Sequence, residues 1–210
     1  MPTLYYVHDP MCSWCYAFAP TWQRIETELA GSIPVRYVLG GLAPDSDRPM
    51  PEDLKAYIQS TWRRIEATVP GTEFNFDFWT RCQPRRSTYP ACRAVLAAKH
   101  FDAGNEKRML ERIQHAYYRE ARNPSDTETL CELAGEIGIG VTEFRERLGS
   151  EACETELRGE LEQRRGLGVR GFPSLVLTTD AGSELVPHDY TDAQVTLGAL
   201  DAQVPGGLGL

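Results

Sequence analysis

Cys12-Ser13-Trp14-Cys15 is the stretch that decides the fold, because of what lies on either side of it. The apolar run Leu4-Tyr5-Tyr6-Val7 precedes it, and a helical pattern from Tyr16 to Ala30 follows it. A helix N-terminus favours a thiolate through its unpaired N–H groups and its dipole. We therefore expect a reactive, exposed sulfur at Cys12 and a second sulfur at Cys15 beneath it, within reach of a disulfide.

Length, composition and charge limit the classes of partner. The chain has 210 residues, of which 41% are hydrophobic and 25% charged, and its formal net charge is −8. Nucleic acids and anionic membranes are bound by basic surfaces, so this balance predicts neither as a partner. No apolar run approaches the ~18 residues of a membrane span, and no secretory leader precedes the first strand. We therefore predict a cytoplasmic protein.

Six cysteines raise the question of structural disulfides. Such bridges are rare in a chain of this length without a secretory signal, so free thiols are expected. Cys82 and Cys92 are either a second redox pair or separate thiols of a helical region. Cys131 and Cys153 adjoin apolar helical positions and are predicted to lie in the core.

The order of patterns along the chain is β-α-β, then a helical block, then β-β-α. Strands are predicted at Thr3–His8, Val35–Leu39, Ser174–Thr179 and Glu184–Val186. Helices are predicted to begin near Cys12, Pro51, Tyr89, Glu106, Thr142, Ser150 and Asp192, with a further one after a capping box, Ser125-x-x-Glu128. The aromatic stretch 74–82 has no clear pattern, and residues 205–210 are predicted to be a frayed tail.

These patterns predict an α/β protein with one mixed four-stranded sheet and an inserted helical subdomain. The expected boundaries are 1–42 for the N-terminal half of the sheet domain, 43–166 for the insert and 167–210 for the C-terminal half. The insert is too long for a structureless loop.

Three features together resemble the DsbA family of thioredoxin-fold oxidoreductases. They are the Cys-x-x-Cys motif at the start of the first helix, the central helical insert, and Val169-Arg170-Gly171-Phe172-Pro173 before the third strand. The chain resembles the cytoplasmic FrnE-like branch most, which is related to 2-hydroxychromene-2-carboxylate isomerases and kappa-class glutathione transferases. The segment Ser87–Ala94 resembles the helix start in the insert of that branch. The resemblance implies a thioredoxin-like fold over most of the chain.

The resemblance also implies roles for individual residues. Pro173 would be a cis-proline facing the dithiol, and the backbone of Phe172 would pair with an extended peptide as an added strand does. A trans-proline at the start of an edge strand is the alternative. Ser13 and Trp14 would contact the substrate and tune the thiolate, although Trp14 is equally consistent with an aromatic residue of the rim.

The implied activity is thiol–disulfide exchange, in which Cys12 attacks a substrate disulfide and Cys15 resolves the mixed disulfide. Protein or peptide thiols and disulfides would be the partners, with glutathione or a thioredoxin-type protein as the reductant. No cofactor beyond the Cys12–Cys15 disulfide and no metal are expected. A reducing cytoplasm would favour reduction or isomerisation over net oxidation.

Two other classes stay open. One is a glutathione-dependent isomerase or transferase, in which serine typically occupies the position of Cys12. The other is a chaperone-like module that binds peptides at the apolar rim near Trp14 and Phe172. A zinc site is disfavoured because no second Cys-x-x-Cys or His pair accompanies the first.

The first strand departs from the family pattern. An acidic residue is common there beneath the second cysteine, but the residue six positions before Cys12 is Tyr6. A buried carboxylate is therefore expected to be missing, which leaves water or the Tyr6 hydroxyl to move the proton of Cys15. His8 either favours the Cys12 thiolate or is structural.

Overall fold

A computed structural model describes residues 2–204 and 207–208, so the prediction of a frayed tail lies largely outside the described residues. Its sheet contains β1 (Thr3–His8), β2 (Val35–Leu39), β3 (Ser174–Thr179) and β4 (Gly182–Val186) in the spatial order β2-β1-β3-β4. The pairing of β1 with β2 is parallel, and the other two pairings are antiparallel. The predicted mixed four-stranded sheet is confirmed.

Apart from α3, which was not predicted, the helices of the described residues follow the predicted order. They are α1 (Ser13–Glu28), α2 (Glu52–Thr68), α3 (Phe78–Arg81), α4 (Tyr89–Phe101), α5 (Asn105–Arg119), α6 (Thr127–Glu136), α7 (Val141–Leu148), α8 (Glu151–Gly166) and α9 (Ala193–Gln203). None of the helices in this part of the chain is long and apolar enough to cross a membrane.

Helices α1 and α9 cover one face of the sheet. The residues Phe18, Trp22 and Ile25 recur at helical spacing and are buried there. Leu4 of β1 and Leu200 of α9 belong to the same cluster. Burying an apolar side chain of this size stabilises the fold by roughly 1.5–3 kcal/mol. This packing fixes α1, and with it the Cys-x-x-Cys motif at its N-terminus, against the central strand.

Helix α8 secures the edge of the sheet formed by β2. The Leu39 N–H donates to the Glu160 carboxylate at 2.9 Å, and the Arg164 guanidinium donates to the Gly40 carbonyl at 3.0 Å. An unpaired strand edge is open to pairing with another chain. The two side chains satisfy backbone groups at and just after the C-terminal end of β2.

The helical insert has its own aromatic core. Trp62 of α2 is fully buried and stacks on Phe74 at 4.8 Å between ring centroids, with Tyr118 of α5 5.5 Å away. The same apolar cluster continues to Met11 and Leu39 of the sheet domain. The insert therefore packs directly beneath the turn that carries the dithiol.

Two of the predicted helix starts are wrong. Ser125 does not form a capping box, because its hydroxyl donates to the Ser87 carbonyl at 2.7 Å and Asp126 occupies the N-cap position of α6. Helix α7 begins at Val141, so Thr142 lies inside its first turn. In both cases a neighbouring residue takes the cap position, which single-residue preferences do not distinguish.

Candidate active site

Cys12 lies at the junction between the two halves of the sheet domain. It is the N-cap residue of α1, and its carbonyl accepts from the Tyr16 N–H at 3.0 Å. Its thiol lies 3.6 Å from the carbonyl oxygen of Phe172, which is 160 residues away in sequence. The peptide bond between Phe172 and Pro173 is cis, the isomer that the resemblance implies. The fold thus brings the Cys-x-x-Cys motif and the proline segment together.

The exposed sulfur expected at Cys12 is not observed. Cys12 is only 7% exposed, and Cys15 is completely buried. Cys12 and Phe172 both line a cleft, and the Cys12 thiol faces the Phe172 carbonyl there. Both sulfurs are free thiols. A substrate would reach Cys12 only through that cleft.

The Cys15 thiol is weakly acidic in this structure. Burial raises its pKa well above the usual range, and the neighbouring Cys12 thiol acts in the same direction. The backbone of Asp9 lowers the pKa of Cys15, with a smaller effect. Cys15 is therefore a protonated thiol in the free protein, which suits a resolving cysteine that is needed only after a mixed disulfide has formed.

The cleft beside Cys12 has a volume of about 250 Å³ and is open to solvent on one side. The cleft is lined by apolar side chains of α2, such as Tyr57 and Ile58, and by the segment at Phe172. Arg86 and Arg170 also line it, and within residues 2–204 and 207–208 neither is ion-paired with a carboxylate. A narrow apolar groove with two free cations suits a small or extended substrate that carries negative charge.

Ser13 and Trp14, for which substrate contacts are expected, both line the cleft. The Trp14 ring is half-buried, with the Tyr190 ring 4.9 Å away and the Arg64 guanidinium over its face at 5.4 Å. These contacts hold the indole in place on the wall of the cleft. The arrangement is compatible with both of the roles considered for Trp14.

Phe172 is seated against the turn that follows β2. A Cβ atom added at Gly40 would lie 2.2 Å from the Phe172 ring, so only glycine allows this contact. At Gly41 the backbone has a φ of +62°, and a Cβ atom would lie 2.3 Å from the Leu161 side chain. The Gly40-Gly41 pair therefore lets the proline segment and α8 approach the backbone closely.

A buried carboxylate, which the sequence was expected to lack, is present at Asp9. It is fully buried just after β1 and lies near Cys15. Its oxygens accept hydrogen bonds from the Met11 N–H at 2.8 Å, the Leu42 N–H at 2.6 Å and the Thr88 hydroxyl at 2.8 Å. The expectation was wrong because the acid is not on the strand but at its end, in Asp9-Pro10. The only signal was a charged residue next to an apolar strand.

His8 does not supply a positive charge to the dithiol. Its ring is 1% exposed, stacks on Tyr6 at 5.1 Å and has no hydrogen-bond partner for either nitrogen. Burial lowers its pKa to about 3, so the imidazole is neutral near neutral pH. The structural interpretation of His8 is the one that the geometry favours.

The remaining cysteines make separate contacts. The Cys82 thiol donates to the Ala121 carbonyl at 3.0 Å, whereas the Cys92 thiol lies 3.6 Å from the Asp9 carboxylate. All four are free thiols, and Cys131 and Cys153 are buried in the core of the insert as predicted. No cluster of three or more potential metal ligands occurs among the residues that the structure describes.

Comparison with known families agrees with this geometry. The family model of the DsbA-like thioredoxin domain matches residues 3–195. The chain belongs to the DsbA-like thioredoxin family. The resemblance inferred from the Cys-x-x-Cys motif, the insert and the proline segment is therefore confirmed, as is the thioredoxin-like fold.

Solved structures similar to this chain cover most of its length. A candidate protein disulfide isomerase from Nitrosomonas europaea is 26% identical, with a TM-score of 0.83 and 96% of each chain covered. The cytosolic disulfide reductase DsbM from Pseudomonas aeruginosa is 30% identical, with a TM-score of 0.70 and coverage of 88% of this chain and 89% of that one. DsbM has also been solved with GSH, and that structure is 28% identical to this chain.

Curated relatives in sequence are longer than this chain. The ClpXP adapter protein SpxH from Halalkalibacterium halodurans is 23% identical over 181 residues, which are 84% of this chain and 58% of the relative. The SpxH protein of Bacillus subtilis is 21% identical, and 56% of its length is covered. The chain thus spans little more than half the length of these relatives. The fold and the reductase neighbours together support the oxidoreductase class.

Proposed function

We propose that this protein is a cytoplasmic thiol–disulfide oxidoreductase that reduces or isomerises disulfides of peptides and small thiols. Cys12 is the attacking cysteine and Cys15 the resolving one. The observation that carries the proposal is the 3.6 Å approach of the Cys12 thiol to the Phe172 carbonyl, next to a cis-proline. A reactive sulfur beside a backbone segment at the start of a strand can bind an extended peptide and exchange its disulfide.

The reaction proceeds in two exchanges. The Cys12 thiolate attacks one sulfur of the substrate disulfide, so that a mixed disulfide forms and the other sulfur leaves as a thiolate that takes up a proton. Cys15 then loses its proton and attacks the Cys12 sulfur, which releases the second substrate thiol. The substrate gains two electrons and two protons, and the Cys12–Cys15 disulfide forms.

Glutathione is the small thiol that the cleft favours. The tripeptide carries two carboxylates, and Arg86 and Arg170 are the two unpaired cations on the cleft wall. DsbM, the similar cytosolic reductase, has been solved with GSH. In a reducing compartment such as the proposed cytoplasm, glutathione would regenerate the dithiol, which supports reduction as the physiological direction.

The experiment that tests the proposal is reduction of insulin by dithiothreitol, followed by turbidity. The wild-type protein should accelerate the reaction, and Cys12→Ser should abolish the acceleration. Cys15→Ser, incubated with oxidised glutathione, should accumulate a glutathione adduct on Cys12 that mass spectrometry detects. Cys82→Ser is the matched control, because Cys82 is a free thiol of the insert that lies outside the cleft. Full activity in Cys12→Ser would contradict the proposal.

The glutathione assignment has its own test. Arg170→Glu should raise the KM for oxidised glutathione at least tenfold, because it replaces a cation of the cleft by an anion, with a smaller effect on kcat. Arg24→Glu makes the same change of charge on the exposed side of α1 and should leave KM unchanged. Equal KM values in the two variants would contradict the assignment of glutathione to this cleft.

A further inference from the structure

A second cavity lies between α1 and α5 and shares no lining residue with the cleft beside the dithiol. Its volume is about 570 Å³, which is within the range of sites that hold small molecules. The two helices contact each other on both sides of it. Tyr16 stacks on Tyr118 at 4.5 Å between ring centroids, and Glu26 is ion-paired with Lys107. Between these contacts the short side chain of Ala19 leaves the seam open.

The floor of this cavity is aromatic. Tyr6 and Trp22 are buried, and their rings stack at 4.4 Å between centroids. The Tyr37 ring meets that of Tyr6 edge-on at 5.4 Å, and all three residues line the cavity. Aromatic rings that stack or meet edge-on stabilise each other beyond the area that they bury. The floor therefore favours a ligand with a planar ring.

Two buried polar side chains that line this cavity lack a hydrogen-bond partner. Gln114 is 5% exposed and Tyr6 is 2% exposed. Within residues 2–204 and 207–208, no protein group is hydrogen-bonded to the Gln114 amide or to the Tyr6 hydroxyl. Unlike the His8 nitrogens, which are sealed in the core, these polar atoms are open to the cavity. A buried polar group without a partner is unfavourable, and a ligand that pairs with it removes that cost.

The other polar atoms of the floor are already paired. The Trp22 indole N–H donates to the Tyr37 hydroxyl at 2.7 Å, and that hydroxyl donates to the Glu26 carboxylate at 3.2 Å. Partners are therefore needed only for Gln114, whose amide both donates and accepts, and for Tyr6. Burial raises the pKa of Tyr6 well above its usual range, so its hydroxyl stays protonated and can donate. The complementary ligand has an acceptor beside a donor.

The charged residues at the mouth of this cavity disfavour an anionic ligand. Glu26 and Lys107 neutralise each other, and Glu111 adds a negative charge. His115 also lines the mouth, and its ring contacts the Glu120 carboxylate at 2.9 Å. The cleft beside the dithiol has two unpaired arginines instead. An anion such as glutathione therefore suits that cleft and not the cavity between α1 and α5.

We propose that the cavity between α1 and α5 is a second binding site, which takes a neutral planar molecule with a hydrogen-bond acceptor beside a donor on one edge, as in a lactam ring. The ring lies against the aromatic floor. Its edge pairs with the Gln114 amide, and the Tyr6 hydroxyl donates to an acceptor of the ligand. The inference does not depend on the proposed function, because no residue of the cleft beside the dithiol takes part.

The test is calorimetric titration of the wild-type protein with 2-quinolinone, a neutral bicyclic lactam. Its N-methyl derivative is the matched probe, because methylation removes the donor and keeps the planar ring. One molecule of 2-quinolinone should bind per chain, and N-methylation should weaken binding by about tenfold, since it leaves the Gln114 carbonyl without a partner. The probe should also shift the side-chain NH₂ signals of Gln114 in a proton–nitrogen correlation spectrum. Those signals are assigned by their loss in Gln114→Leu.

Three variants locate the probe on the protein. Gln114→Leu removes the amide with little change in volume, so it should weaken binding of 2-quinolinone by about tenfold and abolish the preference over the N-methyl derivative. Ala19→Phe fills the cavity from α1 and should abolish binding. Gln59→Leu makes the same change of side chain on α2, outside both the cavity and the cleft beside the dithiol, and should bind as wild type does.

The outcomes are distinct. If the wild-type protein does not bind 2-quinolinone at millimolar concentration, the inference is overturned. It is also overturned if Gln114→Leu and Ala19→Phe both bind as wild type does, because the probe then lies elsewhere. If only Ala19→Phe loses binding, the cavity takes apolar rings and the hydrogen-bonding chemistry proposed for it is wrong. If Gln114→Leu does not fold, the two probes decide on wild-type protein, and equal affinities overturn the inference.

Discussion

Acid should destabilise this protein through one buried imidazole, that of His8. The ring lies between Tyr6, which stacks on it at 5.1 Å, and Tyr37, whose ring meets it edge-on at 5.5 Å. Neither nitrogen has a hydrogen-bond partner, and no acidic residue compensates a charge there. Burial alone lowers the pKa of His8 to about 3. Protonating the ring in the folded state is therefore strongly unfavourable.

The size and sign of the effect follow from the two protonation equilibria. In the unfolded chain His8 binds a proton below its usual pKa of 6.5, whereas in the folded protein it does so only near pH 3. Between these values the unfolded state binds more protons, so the free energy of unfolding falls as pH falls, by about 1.4 kcal/mol per pH unit. Relative to pH 7.5, the loss due to His8 should be about 2.7 kcal/mol at pH 4.5.

Urea denaturation at pH 7.5 and pH 4.5 measures this loss when wild type is compared with His8→Phe. Phenylalanine keeps a ring between the two tyrosines and cannot titrate. Protonation of other groups lowers the free energy of unfolding in both proteins. Only the difference between the losses of the two proteins therefore reports His8. Wild type should lose about 2.7 kcal/mol more than His8→Phe, whereas a His100→Gln variant at an exposed position should behave as wild type. Equal losses in wild type and His8→Phe would refute the reasoning.

Three further substitutions test the packing. Gly40→Ala should reduce insulin-reduction activity at least tenfold with a small change in stability. The added Cβ atom would lie 2.2 Å from the Phe172 ring and would displace that ring. Wild-type activity in this variant would contradict the prediction. Ser150→Ala should lower the free energy of unfolding by about 1 kcal/mol in urea, since it removes the acceptor of the Cys153 N–H at the start of α8. Trp62→Ala should cost about 3–5 kcal/mol in the same assay, and a cost below 1 kcal/mol would show that the aromatic cluster of the insert repacks.

The sheet was predictable because its strands have strong local signals. The strand Thr3–His8 is apolar and bounded by Asp9-Pro10, and Ser174–Thr179 is followed by a turn signal that predicts its hairpin partner. By contrast, the stretch 74–82 gave no pattern. Its single turn of helix, Phe78–Arg81, forms because Phe78 is buried in the aromatic cluster of the insert. That contact depends on tertiary packing and leaves no periodicity in so short a segment.

The proximity of Cys12 to the proline segment was predictable, but the surroundings of the two were not. Cys12 and Pro173 were found from motifs, because the chemistry restricts which residues can stand there. The burial of Cys12 was missed, since it depends on tertiary contacts such as the one with Phe172, which is far away in sequence. The buried state of His8 and Asp9 was also missed, because a polar residue at the end of a strand is usually exposed.

The insert of this protein contributes to the dithiol site and not only to the substrate cleft. The Asp9 carboxylate is contacted by the hydroxyl of Thr88, the N-cap residue of α4, and by the thiol of Cys92 within α4. Without these two groups, the Asp9 carboxylate would keep only two of its four hydrogen-bond donors, and its burial would be less favourable. Helix α8 similarly binds the end of β2 through Glu160, next to the Gly40 turn on which Phe172 rests. The dithiol turn and the proline segment are thus both in contact with residues of the insert, so a change in the packing of its helices should affect both sides of the site.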